Sequence, residues 1–157
     1  MFYDQIDAIQ PSGSVMVARV TTVAFQGIEA VPVDVQVQIT SGNPCFALVG
    51  LPDKTVGESR ERIRAALHAS GLALPQRRIT VNLAPADLPK EGSHYDLPIA
   101  LAILAAIGAM PGDQLMDWVA LGELSLDGTI ASVAGVLPAA IGAATMEKGM
   151  ICPADSG

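Results

Sequence analysis

At 157 residues the chain is long enough for one domain with a true hydrophobic core. Half of its residues are hydrophobic but only 4% are aromatic, so Val, Ile, Leu and Ala must fill that core. Charged residues, at 16%, fall below the ~25% usual for globular proteins, which suits a surface partly covered in a larger assembly. The longest apolar run, Leu97 to Met110, is 14 residues, short of the ~20 a membrane helix needs, and the isolated Cys45 and Cys152 give neither a disulfide framework nor a zinc pattern. Two lone thiols fit a reducing, cytoplasmic setting.

The net charge of −7 is unevenly distributed. Between Lys54 and Lys90 the chain carries +4, and elsewhere it carries −11. That basic centre can face nucleic acid or an acidic neighbour, or it can be a solvated helix laced with its own ion pairs.

Residues 1–15 have no sustained periodicity and read as an expression leader or flexible tail ahead of a domain over 16–157. The β-branched stretch Val17 to Phe25 predicts a strand, and Gln26-Gly27 a turn. Val31, Val33, Val35, Val37 and Ile39 alternate with Pro32, Asp34, Gln36 and Gln38, a strand with one wet face and therefore part of an antiparallel pair. After the turn cluster Ser41-Gly42-Asn43-Pro44, the run Cys45 to Leu51 predicts a third strand, completing a meander. A helix is expected over 53–70, capped by Asp53 and stopped by Gly71, with Val56, Ile63 and Leu67 on its apolar stripe. His68 falls in its last turn, where a cation suits the dipole.

The stretch RRITVNLAPADLPKEGSHYDLPIA, Arg77 to Ala100, organises the rest. Ile79, Val81 and Leu83 alternate as a half-buried strand. Pro85, Pro89 and Gly92 shape a loop that carries Asp87, Lys90, Glu91, Ser93 and His94. Asp96 is placed to cap an apolar helix with Pro98 in its first turn. Beyond the Pro111-Gly112 break, Asp127-Gly128 predicts a hairpin between Trp118–Leu124 and Thr129–Val133. A third helix over 135–148 and a short strand over 150–152 complete an α+β domain, its helices packed on one face of a sheet.

Two chemistries can be weighed on these residues. GxxxxGK[ST] matches nowhere, and Gly50-Leu51-Pro52-Asp53-Lys54-Thr55 only resembles its tail, so a P-loop nucleotide site is not expected here. Ser93 and His94 beside Lys90, with Asp87, Glu91 or Asp96 as orienters, suggest an activated nucleophile; the alternative is ordinary loop polarity and helix capping.

VNLAPADLPKEGSHYDLPIALAIL, together with GLPDKTVGESRERIRAAL and LGELSLDGTIASVAGVLPAAI, resembles the N-terminal domain of the ComM/YifB family of magnesium-chelatase-like AAA+ proteins, from Met16 onward. The resemblance implies a ribosomal-S5-domain-2-like fold, similar to the proteolytic domain of Lon and the C-terminal domain of RadA. It also implies an AAA+ module beyond this chain that supplies ATP and Mg sites, a hexameric parent, and a DNA helicase activity promoting branch migration in natural transformation. Lon-type peptidases carry their serine in a PKDGPSAG loop. Pro89-Lys90-Glu91-Gly92 matches its opening, but His94 falls at the serine position and Leu137 at the lysine position. The expectation is therefore a non-catalytic domain serving assembly and contact with single-stranded or branched DNA. Arg60, Arg62, Arg64, Arg77, Arg78 and Lys90 are the candidate DNA or partner contacts, and Ser93, His94 and Asp96 a candidate loop site, with no metal or cofactor in this part. The alternatives are a Ser/Lys peptidase using Ser93 and Lys90, and an accessory domain of a magnesium-chelatase-type ATPase.

Overall fold

The computed structural model describes residues 15–156. Residues 1–14, most of the expected leader, lie outside them, and Val15 already belongs to the first strand. Strands β1 (Val15–Gln26) and β2 (Glu29–Thr40) form a long antiparallel hairpin in which Val20 faces Val35 and Phe25 faces Ala30. Strand β3 (Cys45–Val49) leads into helix α1 (Asp53–Ala69), which returns the chain to β4 (Arg78–Ala84). The expected three-strand meander is corrected here. β4 pairs antiparallel with β2, and β3 lies outside β4 and parallel to it. The helical crossover of α1 makes that parallel pairing possible, since parallel strands need a long connection.

Helix α2 (Asp96–Ala106) and the single turn α3 (Gly112–Leu115) precede β5 (Trp118–Ala120). The hairpin expected at Asp127-Gly128 is present between β6 (Glu123–Leu124) and β7 (Ile130–Ala131), but its expected first arm, Trp118–Leu124, is split, because β5 joins the main sheet and only Glu123–Leu124 pairs with β7. Helix α4 (Val136–Thr145) and β8 (Gly149–Ile151) complete a six-stranded sheet in the order β3-β4-β2-β1-β5-β8. The α+β class read from the sequence is the observed one.

Strand periodicity assigns the faces. Val20, Ala24, Val33, Val35, Val37, Ile39, Ile79, Val81 and Leu83 point to one side, where Ile63, Ala66 and Leu67 of α1 and Ile99, Ala102 and Ile103 of α2 bury them. Packing on one face thus holds for α1 and α2. Helix α4 sits on the opposite face, its Ala139 and Ala143 clustered with Val23, Val119 and Leu121. The caps also differ from expectation. Pro52 is the N-cap of α1 and Asp53 lies in its first turn, whereas Gly71 ends the helix as expected, at φ +80° with Leu72 N donating to Leu67 O at 2.8 Å.

Candidate functional site: a closed polar loop and a basic edge

Ser59 stands in the apolar stripe of α1 with Ile63, Ala66 and Leu67, so its hydroxyl must find a buried partner. That partner is Asp96. Its Oδ1 accepts from Ser59 Oγ at 2.6 Å and Arg62 Nη2 at 3.2 Å, and its Oδ2 from Arg62 Nε at 2.6 Å and Leu124 N at 3.1 Å. Asp96 is buried at the start of α2, so one carboxylate ties α1, α2 and the β6–β7 hairpin together. The hydrogen bond to Asp96 is the main cause holding the Arg62 guanidinium pKa above its ordinary value, against the opposing effect of burial. The expectation of an N-cap at Asp96 is corrected, because Tyr95 holds the cap position and the carboxylate turns inward. Arg62 is corrected too. Its side chain is mostly covered and engaged with Asp96, leaving it unsuited to a phosphate.

Lys90 is the second correction among the basic candidates. It is only 2% exposed, and Nζ donates to Pro85 O at 2.5 Å and Leu88 O at 2.9 Å. A shaped proline loop turns two carbonyls inward, and the lysine answers them, closing the loop on itself. Burial pushes its ammonium pKa down, with Asp87 opposing. No hydrogen bond joins Lys90 to Ser93 among the described residues; the Ser93 carbonyl accepts from Asp96 N at 3.3 Å.

His94 is buried, its Nε2 donating to Val23 O at 2.7 Å, its ring 4.0 Å from that of Tyr95 and 5.2 Å from that of Phe25. The carbonyl partner fixes the proton on Nε2. His94 O accepts from Gly122 N and Leu97 N donates to Gly122 O, both at 3.0 Å, so the loop is stitched to the segment after β5. Ser93, His94 and Asp96 are therefore neighbours in sequence that face different partners: Ser93 half-buried at the loop, His94 toward β1, Asp96 toward α1.

Burial pushes the His94 imidazole pKa down, outweighing the Val23 carbonyl and Asp96, which push it up. An unfolded histidine titrates near ~6.5. Below that pH the unfolded chain takes up a proton that the native ring resists, so the unfolded state binds more protons and stability falls with falling pH. The expected result is a stability loss between pH ~6.5 and the lower native pKa, at most about 1.4 kcal/mol per pH unit. His94→Phe should flatten that part of the curve, and urea midpoints at successive pH values check it. An unchanged slope in the variant would remove His94 as the cause.

The remaining cations gather at the end of the sheet where β4 begins. Arg78 opens β4 opposite Thr40 and Cys45, with Arg77 just before it. Arg64 and His68 of α1 line a groove of about 410 Å³ with Gln76, the residue preceding Arg77. Arg64 is exposed and pairs with Glu61 at 3.2 Å, and Arg60 Nη1 donates to Phe46 O of β3 at 3.1 Å. Ser59, Val23 and the Leu124 amide escaped the sequence reading. Only Ser59 carried a signal, as a hydroxyl on an apolar stripe. Among the described residues no group of three or more His, Cys, Asp or Glu is placed to hold a metal, and no helix is long and apolar enough to cross a membrane.

A mixed sheet with two helices on one face and a polar hub at the head of α2 defines a small α+β domain. The family described as subunit ChlI of Mg-chelatase matches residues 35–156. The chain belongs to this family, and within it is of the ComM/YifB kind. It is 44% identical to YifB of Escherichia coli over 137 residues, 87% of this chain and 27% of that protein. It is 45% identical to competence protein ComM of Haemophilus influenzae over 128 residues, 82% of this chain and 25% of that protein. An uncharacterized protein of Mycobacterium bovis is 46% identical over 125 residues, 80% of this chain and 25% of its own length. The chain thus spans about a quarter of the length of the curated relatives it matches.

Proposed function

We propose that this chain is the non-catalytic domain of a ComM/YifB-like AAA+ ATPase and DNA helicase of natural transformation. In this reading it contributes subunit assembly and sequence-independent contact with single-stranded or branched DNA, and ATP and Mg belong to a separate module. The observation that carries the reading is the state of the loop. The Lys90 ammonium is committed to two carbonyls and the His94 ring to a third, while all four hydrogen bonds to the Asp96 carboxylate come from structural partners. A nucleophile needs a base within hydrogen-bonding reach, and these groups are engaged elsewhere. For DNA, support comes from the grouping of Arg64, Arg77 and Arg78 around one end of the sheet. The scarcity of aromatic residues favours phosphate contact over base stacking.

Fluorescence anisotropy with single-stranded and forked DNA tests this. The isolated domain is expected to bind in low salt with affinity falling steeply as salt rises. Arg77→Ala combined with Arg78→Ala should reduce the salt slope by roughly 0.7 per lost contact on a single strand. Wild-type binding whose salt dependence the double variant leaves unchanged would remove this edge from the DNA path.

A further inference from the structure

Strand β3 ends the sheet on one side, with β4 on its inner flank and no strand beyond it. Cys45 N donates to Arg77 O at 3.3 Å, and Cys45 is in register with Arg78. In a parallel ladder, alternate residues turn both backbone groups toward the same neighbour. Cys45, Ala47 and Val49 therefore bond to β4, while Phe46 and Leu48 turn their N–H and C=O outward. One outward group is taken, since Phe46 O accepts from Arg60 Nη1 at 3.1 Å. Phe46 N–H and both backbone groups of Leu48 have no partner among the described residues. A strand edge that offers a donor and an acceptor in this way is a template for a second backbone.

The side chains at this edge define what the second backbone carries. Phe46 and Leu48 go under α1, so Cys45, Ala47 and Val49 lie on the opposite face, where Cys45 is exposed and Val49 is 53% exposed. Charge is concentrated in one group. Arg62 is matched by Asp96 and Glu58, and Arg64 by Glu61. Arg60 has no carboxylate partner among the described residues, and Phe46 O engages only one of its five N–H donors.

We propose that β3 receives an extended peptide as an added strand, its backbone pairing with Leu48 and its acidic side chain meeting Arg60. Strand alternation sets the pattern. Residues flanking the acid point to the other face, where they lie beside Val49 and must be aliphatic. Other occupants fit less well. A nucleic acid has no alternating donors and acceptors to answer Leu48, and a lone arginine neutralises little of its charge. A second copy joined β3 to β3 about a two-fold axis would bring Arg60 against Arg60. The added strand is independent of the DNA reading above, which uses the end of the sheet where β4 begins.

The probe is acetyl-Thr-Val-Glu-Val-Thr-amide, titrated to about 1 mM, the range of weak contacts. Amide NMR of the whole chain reads the result at Phe46 and Leu48. Both resonances are expected to shift and their hydrogen exchange to slow. A copy N-methylated at its three central residues has no donor for Leu48 O in either register, and should not bind. Replacing the peptide's glutamate with lysine should weaken binding roughly five-fold or more, the worth of a partly exposed ion pair. That preference should vanish in Arg60→Gln, with circular dichroism checking the fold. Unmoved Phe46 and Leu48 amides, or equal binding by the methylated copy, would overturn the added strand. A glutamate preference that survives in Arg60→Gln would overturn the part given to Arg60. Shifts at this edge with oligothymidylate and none with the peptide would give it to nucleic acid instead. Exchange that slows with chain concentration alone would give it to a second copy.

Discussion

Asp96→Ala is expected to cost about 3–5 kcal/mol of unfolding free energy, the range for breaking a buried ion pair by removing one partner. Each carboxylate oxygen accepts two hydrogen bonds, so deletion leaves the Ser59 hydroxyl, the Arg62 fork and the Leu124 amide short of partners at once. A buried donor left unsatisfied costs about 1–3 kcal/mol. Arg62 recovers part of its loss, being partly exposed and 4.0 Å from Glu58, whereas the Leu124 amide has no comparable escape. Asp96→Asn should be nearly as damaging. The groups converging on Asp96 all donate, so either orientation of an amide sets its own NH₂ against an N–H. Thermal unfolding is the measurement, with a melting point lowered by about 10 °C or more for a domain of this size. A drop of only one or two degrees would mean the hub is dispensable.

The same network marks where sequence reading reaches its limit. An aspartate ahead of an apolar helix is the ordinary signature of a cap, and nothing local separates a carboxylate that turns back on its own helix from one that reaches α1. The deciding partners lie far away in the chain, Ser59 and Arg62 on one side and Leu124 on the other. Lys90 misled for a related reason. A lysine that follows two prolines in a polar loop reads as solvated until the inward carbonyls of Pro85 and Leu88 are seen. What was legible was local: the alternation of β2 and β4, the apolar stripe of α1, the Gly71 stop and the Asp127-Gly128 hairpin. Sheet order was not, since β3 offers an apolar run that would pair as well with β2, and only the length of α1 carries the chain across to form the parallel pair with β4. The family was legible because its signature stretches coincide with these long-range ties. GESRERIRAAL contains Ser59 and Arg62, and SHYDLPIA contains His94 and Asp96.

Gly50→Ala is expected to be comparably damaging, for a reason of pure space. Gly50 follows β3 at φ +107°, a backbone conformation that side-chain-bearing residues rarely adopt, and an added Cβ would lie 2.6 Å from Leu83 O, 3.2 Å from Leu83 Cβ and 3.3 Å from Leu83 N. Those atoms belong to β4, which is held between β3 and β2 and cannot retreat without opening two ladders. The resemblance of GLPDKT to the end of a phosphate loop thus has a packing origin in its glycine, which lets β3 lie against β4 just before α1 sets off toward Asp96. Conformational strain alone costs about 1–3 kcal/mol, and the overlap with an immobile backbone raises the expected total to about 3–5 kcal/mol. Gly71 supplies the internal control. It has φ +80° with nothing within 4 Å of an added Cβ, so Gly71→Ala should lose only the strain, about 1–2 kcal/mol. Urea denaturation of the two variants at equal m-value measures the difference. Equal losses would show that β4 yields to the new methyl group, and that the close approach of the strands is a convenience of packing instead of a constraint on it.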